Sequence, residues 1–243
     1  MCGRYYRRSD KQKLGDAFRL GKLTDLPLEA SPSYNIAPST VQPVIRNNRD
    51  TGEREMVAMR WGLVPHFAKS LAEFKRFSTI NAQAETLTSK PMWRGALERR
   101  RCLVPADGFY EWKRLDEKTK QPYSFGLKSG QLLAFAGLWD AWKDPATGEW
   151  LQTFSIVTTE ANELAATVHA RMPVILKPAD YDRWLNRIDR GHLPIELLRP
   201  YDAAEMEAHA VDPRRFGVAD GQSAGSSAKV CLTPSSKLVN GAS

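Results

Sequence analysis

The 243-residue chain lacks several features that would settle a function class early. No apolar run approaches the ~20 residues a membrane-spanning helix needs. Met1 to Asp10 is polar and arginine-bearing, with no apolar signal-peptide core behind it. The three cysteines, Cys2, Cys102 and Cys231, form neither an even disulfide framework nor a paired metal-type spacing. A reducing, cytoplasmic setting is therefore expected, nucleoid-associated in a bacterium, with no metal or other cofactor. There is no Gly-rich phosphate loop, no internal repeat, and no strand–helix alternation regular enough for a dinucleotide-binding fold.

What is present suits a globular protein: 42% hydrophobic and 26% charged residues. No interior linker interrupts the chain, and the one compositional break comes near Gly217, where a Gly/Ser/Ala stretch begins. We therefore expect one domain over residues 1–216 and a flexible tail over 217–243, within which Val230-Cys231-Leu232 could dock. The net charge of +7 favours a polyanionic partner, because Lys and Arg at phosphates release condensed counterions. Charge alone does not single out nucleic acid.

Runs rich in β-branched and aromatic residues predict strands over 41–46, 55–61, 101–104, 108–113, 123–127, 132–139 and 153–158. Helical spacing predicts helices over 10–20, over 91–100 with proline near the start, and over 179–185. A capping-box pattern opening at Thr159 predicts a further helix to about Val168, delivering His169 at its end. Cys102 reads as a buried strand residue. Many strands with irregularly placed helices point to an α+β fold: a single domain with a curled, mostly antiparallel sheet or barrel flanked by short helices.

The most informative residue is Cys2. Removal of Met1 would leave it with a free α-amine and a thiol on the same residue, both partly nucleophilic near neutral pH. Such an aminothiol condenses with an aldehyde through its amine, and its sulfur then closes a five-membered thiazolidine. It can also act as an N-terminal nucleophile. Alternatively Cys2 is an inert residue at a frayed end.

Four further segments carry chemistry-bearing side chains: Tyr34-Asn35-Ile36-Ala37-Pro38, which is turn-like; Ile80 to Thr86; Pro105 to Trp112; and Val168 to Pro173. Each has a plain alternative. Asn81 could fix a turn. Glu111 could face solvent, although strand alternation puts it with Phe109, and a carboxylate among rings would have its pKa raised. His169 could be a helix C-terminal cation. The aromatic pairs Trp61 and Phe67, or Trp139 and Trp142, read as core.

Together and in this order, Met1-Cys2-Gly3-Arg4, Tyr34 to Pro38, Trp61-Gly62-Leu63-Val64-Pro65, Ile80-Asn81-Ala82, Asp107 to Trp112 and His169 to Pro173 resemble the SRAP (SOS-response-associated peptidase) family. These are abasic-site processing proteins, and the resemblance runs from Cys2 to about Asp212. It implies a covalent sensor of abasic sites in single-stranded DNA, acting as a monomer. Cys2 would form a Schiff base and then a thiazolidine with the ring-opened deoxyribose. Asn81 would hold the sugar or the cysteine, Glu111 would relay protons, and His169 would assist at the Schiff base and meet a phosphate. A lyase side reaction is implied wherever a Schiff base forms beside a 3′-phosphate.

Arg4, Asn35, Phe67, Gln83, Thr158 and Arg171 become the expected DNA contacts, with Phe67 standing where the family tends to carry a stacking tryptophan. One departure matters: the family usually reads Asn-Ala-Arg where this chain reads Asn81-Ala82-Gln83, which removes a basic phosphate ligand. Other readings are a thiol autopeptidase that removes Met1, a glutamine amidohydrolase beginning Cys-Gly, or a non-covalent DNA reader. Against the amidohydrolase stand Arg4 and the lack of a downstream Asn-Gly-Glu segment.

Overall fold

In the computed structural model, residues 2–21, 31–74, 78–186 and 192–216 are described. The tail over 217–243, with Cys231 and the Val230–Leu232 segment, lies outside them. Among the described residues no helix is long and apolar enough to cross a membrane.

Among the described residues, twelve strands form two sheets. The smaller contains β1 (Arg4–Arg7), β2 (Ser33–Ile36), β7 (Gly108–Arg114), β8 (Lys120–Leu127) and β12 (Met206–Ala210), in the order β12-β8-β7-β1-β2. The larger contains β3 (Val41–Asn47), β4 (Arg54–Trp61), β5 (Asn81–Gln83), β6 (Arg101–Ala106), β9 (Leu133–Lys143), β10 (Trp150–Glu160) and β11 (Arg171–Pro173). Its path β10-β4-β3-β6-β9 closes on itself through a β9–β10 ladder and makes a five-stranded barrel. Closure leaves those five strands without an open edge along the paired length. Pairing is antiparallel throughout except where β10 runs parallel to β4 and β5.

Alternation along the barrel strands divides the core in two. Val44, Val104, Phe135, Phe154 and Ile156 point one way and join Tyr5, Ile36, Phe109 and Phe125 from the smaller sheet. Their neighbours Ile45, Leu103, Ala134, Ala136 and Val157 point the other way, under helices. Those helices are α1 (Lys11–Phe18), α3 (Pro91–Arg99) and α5 (Tyr181–Leu185), which contribute Phe18, Trp93 and Trp184. Tyr5 packs edge-on to both Trp61 and Phe135, so the first strand is built into the core. Short helices α2 (Leu71–Phe74) and α4 (Glu163–Ala166) complete the set of α-helices among the described residues.

The start of the chain is fastened at its far side as well. The buried carboxylate of Asp107 accepts hydrogen bonds from the backbone N–H groups of Arg8 and Ser9, at 2.8 and 2.9 Å, and from the Ser9 hydroxyl. Buried Arg7 donates across to Gln42 of β3 at 3.1 Å, joining the smaller sheet to the barrel. Gly108 is required between them, since a Cβ there would lie 2.3 Å from the Phe125 carbonyl oxygen and from the Tyr6 hydroxyl.

Three local expectations need correcting. Residues 34–36, read as a turn, belong to β2, because Ile36 pairs with Tyr5. The helix expected to open at Thr159 begins at Glu163 instead, since Thr159 and Glu160 pair with Met172 and Arg171 and extend β10. The cap is Asn162, whose side chain accepts from the Ala165 N–H at 2.8 Å. Of the aromatics read as core, Trp61, Trp139 and Trp142 are buried, but Phe67 is 54% exposed.

Candidate active site

The fold brings residues from four distant stretches to the junction between the smaller sheet and the barrel. Cys2 precedes β1 and is fully buried within the inter-sheet core. Asn81 opens β5 opposite Ile156 of β10, and its side-chain amide donates to the Cys2 carbonyl oxygen at 2.9 Å. The Trp61 indole N–H donates to the Ile80 carbonyl at 2.8 Å and so fixes the backbone that presents Asn81. The Asn81 Oδ1 is buried with no hydrogen-bond partner among the described residues.

Glu111 lies in β7, two residues after Phe109 on the same strand face, and is 4% exposed. Burial raises its carboxyl pKa above the ordinary range, while the positive chain terminus and His169 pull it back. Burial also pushes the Cys2 thiol up, and the Glu111 charge adds to that rise. In this state the sulfur is therefore held protonated. His169 follows α4, and its backbone N–H donates to the Ala165 carbonyl at 2.9 Å. Its Nδ1 lies 2.9 Å from the Arg171 backbone nitrogen and 3.3 Å from the Arg171 carbonyl oxygen, so the Arg171 backbone fixes the ring.

The expected DNA contacts fall into three groups. Arg4 donates to the Asn35 side-chain oxygen at 2.8 Å, so these two stand together at the β1–β2 edge. Arg171 makes a two-pronged ion pair with Glu85, at 2.7 and 3.0 Å, and donates to the Thr158 carbonyl at 2.7 Å. Thr158 is fully buried, with its hydroxyl 3.4 Å from the same guanidinium, and Gln83 beside it on β5 is exposed. The Arg171 hydrogen bonds hold the Glu85 carboxyl below its usual range. Phe67 stands on the loop after β4, which Asp140 pins by accepting from the His66 N–H at 3.0 Å. A cavity of about 450 Å³ near the start of β10, lined by Arg46, Trp139 and Trp150, shares no residue with Cys2, Asn81, Glu111 or His169.

Glu85 and Asp140 escaped the sequence reading. Each acts through a partner far along the chain, and neither pairing leaves a spacing signal.

With this geometry in place, comparison with known proteins gives the family. The model of the SOS response associated peptidase (SRAP) family matches residues 1–215. The chain belongs to the SRAP family. The abasic site processing protein YoqW of Bacillus subtilis is 45% identical over 214 residues, covering 87% of this chain and 92% of that one. The abasic site processing protein HMCES of Gallus gallus is 34% identical over 200 residues, covering 70% of this chain and 58% of its own length. Among solved structures, a Bacteroides thetaiotaomicron protein superposes with a TM-score of 0.78 at 26% identity, covering 90% of this chain and 95% of that chain. A Bordetella bronchiseptica protein gives 0.73 at 28% identity, covering 87% and 100%.

Proposed function

We propose that this SRAP protein processes abasic sites in DNA, and that it does so by covalent capture in single strands. The observation that carries this reading is the Asn81–Cys2 hydrogen bond, together with a buried Glu111 close enough to Cys2 and to His169 for their charges to interact. Three residues far along the chain, Asn81, Glu111 and His169, approach this end of the structure, which supports a shared role.

The chemistry follows from the protonation states. Once Met1 is gone, the Cys2 α-amine attacks the C1′ aldehyde of the opened deoxyribose, and the carbinolamine loses water to give the imine. The nitrogen keeps its remaining proton as an iminium, and the sulfur adds to that carbon and closes the thiazolidine as the thiol proton passes to Glu111. The amine acts first and the sulfur second, because the imine carbon is the electrophile that the sulfur closes on. Glu111, with its raised pKa, protonates the departing hydroxyl and then accepts the thiol proton. His169 would assist at the Schiff base and meet the flanking phosphate, and Asn81, by holding the Cys2 carbonyl, would direct the amine at the sugar.

Release is the reverse sequence. Strand cleavage by β-elimination competes only while the imine is open, which makes lyase activity a side branch.

The test is a denaturing gel of the protein with single-stranded DNA carrying one abasic site. A slow-migrating adduct is expected, and Cys2→Ala should abolish it while leaving non-covalent binding intact. Absence of the adduct with the processed wild-type chain contradicts the covalent reading.

A further inference from the structure

The reading above leaves unused an aromatic notch on the outer face of the smaller sheet. Tyr110 and Trp112 flank Glu111 on β7 and alternate to the opposite face from it. A third ring sits against both. Phe216 lies edge-on with its centre 4.8 Å from Tyr110 and 5.2 Å from Trp112, at 78° and 66°. It comes from the last described turn, Pro213–Phe216, which is attached to the sheet edge through the Val211 N–H and the Pro122 carbonyl, at 2.9 Å.

The position of this notch matters. The β1–β7 register ends at Arg4 opposite Tyr110, and from there the chain leaves toward Asn81. Glu111 and Trp112 therefore flank the strand edge that Cys2 and Gly3 approach, Glu111 on the inner face and Trp112 on the outer. Arg4 shares the outer face with Tyr110, and the Arg215 charge lies close enough to act on the Tyr110 hydroxyl, while Arg214 is held in an ion pair with Asp212. A flat ring held between two aromatics, with guanidinium groups nearby, is the chemistry that stacks a nucleobase.

We propose that Tyr110 and Trp112 form a nucleobase subsite next to the lesion site, and that Phe216 occupies it in the free protein. This rests on the abasic-DNA reading. A base flanking the captured sugar replaces the Phe216 ring, so the Pro213–Phe216 turn competes with DNA and lifts when the strand binds.

The test uses single-stranded DNA carrying a tetrahydrofuran abasic analogue, which has no aldehyde and reports non-covalent affinity by fluorescence anisotropy. Phe216→Ala should tighten binding roughly 3- to 10-fold, the range of one aromatic contact. In a Trp112→Leu background the same change should give no gain. Amide exchange at Arg214 to Phe216 in the wild type should speed up on DNA addition, which needs no variant to fold. Unchanged or weaker affinity for Phe216→Ala, a gain that survives Trp112→Leu, or unaltered exchange overturns the proposal. Failure of the underlying reading shows separately, as loss of the wild-type adduct on true abasic DNA.

Discussion

Glu111 is a carboxyl group placed where its charge is costly. Burial raises its pKa, so the folded protein binds its proton more readily than the unfolded chain does. For a raised group the favourable contribution is complete below the ordinary carboxylate pKa. It is lost as pH rises through the higher folded value. Glu111→Gln removes that loss, so it should raise the melting temperature at pH 7 by a few degrees, about 2–4 °C per kcal/mol. The gain should shrink toward zero below about pH 4, where both states of the wild type are protonated. The same variant should slow adduct formation roughly 100-fold, the usual size of a lost proton relay. A stability gain with unchanged adduct rate would remove Glu111 from the chemistry.

Arg171 offers a second prediction at this scale. Its two-pronged pair with Glu85 keeps the guanidinium on the protein, and Glu85 is half exposed. Glu85→Gln should free Arg171 for phosphate and tighten single-stranded DNA binding with a steeper salt dependence, by about one unit of slope. Anisotropy at several salt concentrations measures it, and a parallel salt line contradicts the idea. Cys2, Asn81, Glu111 and His169 could be singled out from the sequence because they lie in segments whose order along the chain matches the family. Glu85 was not, since its partner lies 86 residues away.

At the scale of elements, the long strands were legible and the short ones were not. β3, β4, β7 and β9 show their period over seven or more residues. β5 and β11 have three residues each, too few for alternation to show, and exist because β10 offers them an edge. That same pairing overrides the helix-cap signal at Thr159 and moves the cap to Asn162. The Asp107-Gly108 corner is the element-level feature on which the site depends. Gly108→Ala would press a methyl group onto the Phe125 carbonyl, and since backbone must shift, the cost should be about 1–3 kcal/mol or more. Thermal unfolding should register this, and adduct yield should fall with it because β7 carries Glu111. An unchanged melting temperature would mean that the β7–β8 pairing is loose at this corner.

For the whole molecule, the barrel and the smaller sheet share one core cluster, from Cys2 and Tyr5 to Phe154 and Met172. Denaturant unfolding followed by tryptophan fluorescence and by far-ultraviolet circular dichroism should therefore give coincident single transitions. Separate midpoints would show that the two sheets fold as independent units. An α+β barrel with short helices was legible from the irregular mixture of strands and helices. The closing parallel contact of β10 with β4 was not, because parallel pairing between strands about 90 residues apart has no local signature.

In the function proposed above, the reagent is the amine and thiol of one residue, Cys2, set at the seam between the two sheets. The most direct measurement compares two preparations of the same chain, one with Met1 removed and one with Met1 retained as verified by intact mass, on abasic single-stranded DNA in a denaturing gel. The trimmed chain should form the adduct, and the chain that keeps Met1 should form none. Equal adduct from both preparations would show that the Cys2 α-amine is not the reagent.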